Sequence, residues 1–214
     1  MSSAGPLSAE PPSPDAPQAA DSRDETLRRQ QDRILEAAAE EFRAAGVRHA
    51  NVERIAEHAG VSRSTLYRRF PSKDDLLGAV VTRFRRQFVR ELSEKLLGLD
   101  PRATVVEAFC LAMSHFNHDE LLKRVLGDTP EAVDVLVGFS APQVKDMVDE
   151  FSRGIVSTLR AAGACMPEHQ LRLAAEIQVR MVTSLITAPS HVLAIDDEKA
   201  LREFAETMLA PMIW

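Results

Sequence analysis

The chain has 214 residues, a net charge of −6 and 45% hydrophobic residues, so it can bury a sizeable core in one or two domains. No apolar run approaches the ~20 residues that a membrane-spanning helix needs, and the N-terminus lacks the basic start and apolar stretch of a secretory signal. With only two cysteines, Cys110 and Cys165, the chain has no disulfide framework and no clustered zinc-ligand spacing. We therefore expect a soluble cytoplasmic protein in which both cysteines are small core residues.

The negative charge is unevenly distributed along the chain. Residues 1–25 carry one Lys or Arg against five Asp or Glu, whereas residues 26–78 carry ten against eight. From Arg63 to Lys73 there are four basic residues and no acidic residue. A short basic stripe on an acidic protein suits local contact with DNA, although a solvated helix face would have the same composition.

The chain begins with a segment that differs in composition from the rest. Residues 1–25 are rich in Pro, Ser and Ala and have almost no large apolar residue, which is typical of a disordered tail. A first helix is predicted after it, because Ile34, Ala38 and Phe42 recur at helical spacing. Gly46 is placed to end this helix.

Two short helices with a sharp turn between them follow. The first is predicted from Asn51 to Ala59, with the Asn51 side chain as its N-cap. Gly60 can take positive φ in the turn, Val61 fills the angle between the helices, and Ser62 can cap the next helix. The arrangement is typical of a helix-turn-helix.

The second helix of this motif has distinct inner and outer faces. Leu66 and Phe70 face inward by helical period, and Thr65 and Arg69 lie on the flank. The outward face carries Arg63, Ser64, Tyr67 and Arg68. Arginine can bind guanine through two hydrogen bonds, and serine or threonine can contact bases or phosphates, so this face suits the DNA major groove.

The remainder of the chain is also predicted to be helical. A long fourth helix follows Pro71 and Ser72, and further helices are expected near 102–117, 119–126, 130–139, 142–162, 167–187 and 197–210. No stretch alternates with period two for long enough to predict a strand. The predicted fold is all-α, with a disordered tail (1–25), a three-helix helix-turn-helix domain (26–72) and a C-terminal helical bundle (73–214).

A specific string of residues spans the motif and its flanks. It comprises Ile34-Leu35-Glu36-Ala37-Ala38 with Phe42 and Gly46, then Val52-Glu53-Arg54-Ile55-Ala56-Glu57-His58-Ala59-Gly60-Val61-Ser62, then Thr65-Leu66-Tyr67-Arg68-Arg69-Phe70-Pro71-Ser72-Lys73-Asp74-Asp75-Leu76-Leu77. This string resembles the tetracycline-repressor (TetR) family of bacterial transcriptional regulators. Two positions depart from the family pattern. Asn51 replaces the usual Thr or Ser, and Glu53 stands where some members have a base-reading residue, although an acid also suits a first helical turn.

The resemblance implies how the protein binds DNA. A homodimer would place two recognition helices in successive major grooves of a palindromic operator in double-stranded DNA. Tyr67 and Lys73 would contact phosphates, and Asn51 can add a phosphate contact to its capping role. Base or phosphate contacts would come from Arg63, Ser64, Thr65, Arg68 and Arg69. Arg28, on the first helix, can reach the DNA backbone or lie on a solvated face.

The resemblance also implies that the C-terminal domain binds a small hydrophobic effector. Long or flexible apolar side chains are the candidates for its pocket, since they line adaptable sites, although each of them also suits an ordinary core. The candidates are Phe109, Met113, Phe116, Phe139, Met147, Phe151 and Met181.

The last two predicted helices are candidates for the dimer interface. In the resembled family, two such helices from each subunit form a four-helix bundle. The first of them has a broad apolar face, although a helix buried within one chain would show the same pattern. This face carries Leu171, Ala174, Ala175, Gln178, Met181, Val182 and Leu185.

No catalytic constellation is visible in this domain, and we expect no enzymatic activity and no cofactor. The cluster from His115 to Glu120 flanks a predicted helix boundary and is not interpreted as a metal site. The predicted function is a sequence-specific repressor that an effector releases from its operator. The alternatives are an architectural DNA binder without an effector and, third, a helical-bundle enzyme.

Overall fold

A computed structural model of the chain describes residues 16–128 and 141–214, with side chains for 25–124 and 148–214. Within these ranges every regular element is helical, which confirms the all-α fold. None of the described helices combines the length and apolarity needed to cross a bilayer. Phe139 and the helix predicted at 130–139 lie outside the described residues, and so does the side chain of Met147.

Nine α-helices are described in these ranges, and most follow the predicted elements closely. The last one continues into a π-helical turn, Ala205–Leu209, and a 3-10 turn, Ala210–Met212. The helices are α1 (Ala16–His49), α2 (Val52–His58), α3 (Arg63–Arg69), α4 (Lys73–Lys95), α5 (Pro101–His118), α6 (Glu120–Asp128), α7 (Ala141–Ala161), α8 (Glu168–Thr187) and α9 (Glu198–Phe204).

The first helix differs from prediction at its start. Because α1 begins at Ala16, residues 16–25, which we assigned to the disordered tail, are helical. Pro17 lies in the first turn of α1. Backbone N–H groups there have no intrahelical acceptor, so the absence of an N–H on proline costs no hydrogen bond. At the other end the backbone leaves helical geometry at Gly46 (φ 77°, ψ 162°), as predicted, and a short helical segment continues to His49.

The N-terminal core extends past the predicted domain boundary at residue 72. Helices α1 to α3 bury a cluster that includes Phe42, Ile55 and Leu66. The same cluster takes in Val80 from α4 and Leu121 from α6, and α1 packs along both of these helices. The first two turns of α4 therefore belong to the N-terminal core.

A second core fills the C-terminal domain. Met113, Leu159, Leu171 and Ile213 are fully buried in it and come from α5, α7, α8 and the C-terminal turn. The predicted helix at 197–210 is broken near its end, since Pro211 has no N–H to donate and its ring would clash with the carbonyl four residues earlier in a continuous α-helix.

The two cysteines differ in environment. Cys110 is buried in the second core, as expected, and burial raises the pKa of its thiol. Cys165 is exposed, which contradicts the prediction of a core residue. It lies in the turn between α7 and α8, where its backbone N–H donates to the Trp214 carbonyl at 3.1 Å.

Helix α4 connects the two cores. Near its middle, Arg83 forms an ion pair with Glu36 of α1 at 2.6 Å. Further along, Glu91 contacts His115 of α5 at 2.6 Å. Hydrogen bonds from Lys95 and then from His115 lower the pKa of the Glu91 carboxyl. His115 thus joins two helices, and no group of three or more potential metal ligands gathers within the described residues.

Candidate nucleic-acid interface

The turn of the helix-turn-helix depends on Gly60, which has a φ of 63°. An added Cβ there would meet Arg33 Nη1 at 3.5 Å, an ordinary contact, so the backbone angle rather than space requires glycine. The N–H groups of Gly60 and Val61 donate to the carbonyls of Glu57 and Ala56 at 3.0 Å. These bonds hold α2 and α3 at a fixed angle.

Side-chain caps begin both helices, as predicted. Asn51 Oδ1 accepts the N–H groups of Glu53 at 2.8 Å and Arg54 at 3.4 Å. Ser62 Oγ accepts the Thr65 N–H at 3.2 Å. Both caps satisfy backbone donors that a helix leaves unpaired in its first turn.

A buried glutamate that sequence analysis missed fixes the start of α2. The Glu41 side chain is only 2% exposed; its Oε1 accepts the Asn51 backbone N–H at 3.1 Å, and its Oε2 lies 3.5 Å from Arg54 Nε. Its spacing from Ile34 and Ala38 places it on the buried face of α1. The sequence signal for this role was an acidic residue at a position where the helical period predicts an apolar one. A buried carboxylate is stable only when hydrogen bonds or ion pairs compensate for its lost hydration.

The two faces of α3 are divided as predicted. Leu66 and Phe70 are buried in the N-terminal core. The face away from the core is polar and basic. Exposed residues there are Arg63, Ser64, Tyr67 and Arg68, and Thr65 and Arg69 are half-buried at its edges. The candidate DNA-binding residues of α3 therefore form one continuous surface.

Arg63 has two neighbours on this surface. Its Nη1 lies 2.6 Å from Glu53 Oε1 on α2, and its guanidinium carbon lies 5.7 Å from the centroid of the Tyr67 ring. Glu53 is therefore more than a first-turn acid, since it pairs with Arg63 of α3. Both side chains of the ion pair are exposed, so the interaction is weak enough to exchange for a contact to DNA.

Lys73 lies at the start of α4, where Ser72 and Asp75 form a capping box. Its Nζ donates to the Arg48 carbonyl at 2.8 Å. An ammonium has three N–H donors, so two are left for a phosphate while this bond persists. Arg28 is exposed on α1.

A cavity of about 830 Å³ lies in the C-terminal domain between α4, α5, α7 and α8. Of the seven candidate pocket residues, Phe151 lines it. Phe109 and Met113 lie in the second core, where the Phe109 ring is 5.6 Å from that of Phe204. Phe116 and Met181 are half-buried and are not part of the cavity wall.

The apolar face predicted on α8 packs inside the chain. Leu171, Ala175 and Leu185 are buried, the two leucines in the second core. The helical periodicity of these residues therefore reflects burial within one chain. A different set of apolar side chains is exposed on α8 and at the C-terminus. These are Leu173 (58%), Ile177 (36%), Met208 (63%) and Trp214 (58%).

Comparison with known proteins shows what the N-terminal segment and the chain as a whole are similar to. Residues 34–80 match the model of bacterial regulatory proteins, tetR family. The HTH-type transcriptional regulator TcmR of Streptomyces glaucescens is 30% identical over 99 residues, which are 46% of this chain and 44% of TcmR. The chain thus matches less than half the length of that relative. The uncharacterized HTH-type transcriptional regulator Rv1255c of Mycobacterium tuberculosis is 28% identical over 186 residues, 84% of this chain and 85% of that protein.

The fold is also similar to solved structures. AlkX of Dietzia sp. strain DQ12-45-1b, a TetR family repressor implicated in biodegradation of n-alkanes, superposes with a TM-score of 0.63 at 18% identity. The superposition covers 85% of this chain and 93% of AlkX. Residues 34–80 therefore match the tetR-family model, the similar regulators match about half or more of the chain, and the fold resembles that of a solved TetR-family repressor.

Proposed function

We propose that the protein is a homodimeric repressor that binds a palindromic operator in the cytoplasm and leaves it when a small hydrophobic effector binds. The exposed face of α3 is the observation that carries this proposal. Buried Leu66 and Phe70 anchor the helix, while Arg63 and Arg68 remain accessible beside hydroxyl groups. A short, rigidly held helix with such a face fits the major groove.

A second copy of the chain is the proposed partner, because a single helix-turn-helix contacts too few base pairs to select one site. Two-fold pairing places the recognition helices about 34–36 Å apart, one turn of DNA. The exposed Leu173 and Ile177 of α8, with Met208 and Trp214 near the C-terminus, supply apolar area for an interface. Aromatic and methionine side chains are enriched in such interfaces.

The cavity supports the proposal of an effector. Its volume of about 830 Å³ is in the range of small-molecule pockets. Helix α4 lines it from Arg85 to Ser93, and the same helix begins at Lys73. A ligand that binds the two tilts of α4 unequally would therefore change the position of the DNA-binding surface.

The test is selection of bound sequences from random duplex DNA with the purified full-length chain. We expect an inverted repeat whose half-site centres are 10–10.5 base pairs, or a multiple, apart. Affinity for the selected site should exceed nonspecific affinity by about 10³-fold or more. Recovery of an asymmetric site, or no enrichment over input, would contradict the proposal. A specificity ratio near one would instead favour an architectural DNA binder.

A further inference from the structure

The cavity wall contains buried polar atoms without partners. Thr104 Oγ1, from α5, and Gln178 Nε2, from α8, have no hydrogen-bond partner among the described residues. Thr104 is 2% exposed and Gln178 is 7% exposed, and both line the cavity. Buried polar groups in proteins nearly always have a partner, so Thr104 and Gln178 have unused hydrogen-bonding capacity at the cavity wall.

The wall that α4 forms is basic. Arg85, Arg86 and Arg90 all line the cavity, and Glu150 is the only carboxylate among the described lining residues. Glu150 is already paired with Arg85 at 3.0 Å. Arg86 and Arg90 are exposed, lie four residues apart on one face of the helix, and form no ion pair with described residues.

Apolar side chains form most of the remaining wall of the cavity. Leu92 comes from α4 and Leu96 caps the end of that helix, while Val105 comes from α5 and Phe151 and Ile155 from α7. Arg86 and Leu96 are ten residues apart on a helix, which separates their levels by about 15 Å. The cavity is therefore elongated, with cationic groups at its exposed side and an apolar interior.

We propose that the effector is an amphipathic organic anion, an inference that rests on the function proposed above. Its apolar body occupies the space between α4, α5 and α7. Its anionic group binds Arg86 and Arg90, whose guanidinium groups suit carboxylate, sulfonate or phosphate oxygens. An uncharged oxygen on the apolar body accepts a hydrogen bond from Gln178 and exchanges one with Thr104. A cationic ligand would meet three arginines and one carboxylate, Glu150, which is already paired with Arg85.

Isothermal titration of the full-length chain with decanoate, decanol and decylamine tests the charge preference in the absence of DNA. The three probes share one alkyl chain and differ in head group. Because charge-assisted hydrogen bonds are stronger than neutral ones, decanoate should bind about tenfold or more tightly than decanol, and decylamine most weakly. A second anion of different shape, 1-anilinonaphthalene-8-sulfonate, should bind with enhanced fluorescence that decanoate displaces.

Paired variants locate the anion site. Arg86→Gln with Arg90→Gln should lower decanoate affinity to that of decanol while leaving decanol binding unchanged. Arg124→Gln with Arg153→Gln is the matched control, since both arginines are exposed outside the cavity and the change in net charge is the same. This control should leave both affinities unchanged.

The interior contacts have a separate readout. Gln178→Leu should remove any preference for 10-hydroxydecanoate over decanoate. Circular dichroism of each variant verifies that the helical fold persists.

Four results would overturn the inference: no binding of either anion, equal affinity for decanoate and decanol, preference for decylamine, or equal losses in the two double variants. Failure of the regulatory function has a different signature. In that case decanoate would bind as expected, yet the affinity for the selected DNA would not change.

Discussion

The Arg63 side chain of α3 contacts Glu53 and the Tyr67 ring in the free protein. Arg63→Ala should weaken operator binding by about 1–3 kcal/mol and relax base preference at one position of each half-site. Fluorescence anisotropy with operators substituted at single positions measures both effects. Arg124→Ala, an exposed arginine on α6, is the control and should leave affinity unchanged. A uniform loss across all sequences would instead assign Arg63 to phosphate.

Lys73 should behave differently, because its proposed target is the phosphate backbone. Lys73→Ala should weaken binding to all DNA sequences alike and reduce the slope of log K against log salt by about 0.9 for each phosphate that Lys73 neutralises. The substitution also removes the hydrogen bond to the Arg48 carbonyl, so thermal unfolding is followed in parallel. An unchanged salt slope with intact folding would exclude Lys73 from the interface.

At the scale of the element, the start of α2 depends on Glu41 of α1. Glu41→Ala leaves the Asn51 N–H without its acceptor, which should lower the free energy of unfolding by about 1–3 kcal/mol. Glu41→Gln keeps an acceptor oxygen and should cost less. Urea denaturation gives both values. Equal losses for the two variants would show that the carboxylate charge, through Arg54, matters more than the acceptor.

The contact between α5 and α9 has a pH dependence. Hydrogen bonds from Arg202 lower the pKa of the Glu107 carboxyl below its ordinary value of 4.5. Because the pKa is lower in the folded state, the ionised carboxyl stabilises the fold fully at pH values above 4.5. This contribution is lost as the pH falls through the folded-state pKa. Both side chains are more than one third exposed, so Glu107→Gln should cost only about 0.5–1 kcal/mol at pH 7.

Urea unfolding of both forms at a series of pH values checks this prediction. The difference between the parent and Glu107→Gln should begin to shrink as the pH falls below 4.5 and should approach zero once the pH is below the lowered folded-state pKa, where the carboxyl is protonated in both states. A difference that stays constant with pH would assign the loss to packing rather than to charge.

At the scale of the whole molecule, dimerisation should depend on the exposed apolar residues and not on the buried face of α8. Leu173→Arg with Ile177→Arg should give folded monomers that lose operator binding, as measured by sedimentation and anisotropy. Val192→Arg, at a fully accessible apolar position, is the control and should remain dimeric. Val182, which sequence periodicity placed in a possible interface, packs against the second core, so an arginine there should destabilise the protomer.

The local features of the DNA-binding segment could be predicted from sequence because each depends on residues close together in the chain. The caps at Asn51 and Ser62, the positive φ of Gly60 and the inward face of α3 all follow from spacings of a few residues. Backbone sterics and helical period act at that range, so no tertiary information is needed.

Tertiary structure decided the features that join distant residues. Periodicity shows that a side chain such as Met113 or Leu171 is buried, but not what covers it. The pairing of Glu53 with Arg63 joins two helices, and the cavity gathers Arg86, Gln178 and other residues from four helices. A pocket is a gap left by the packing of several elements, and its chemistry is set by which polar side chains meet there.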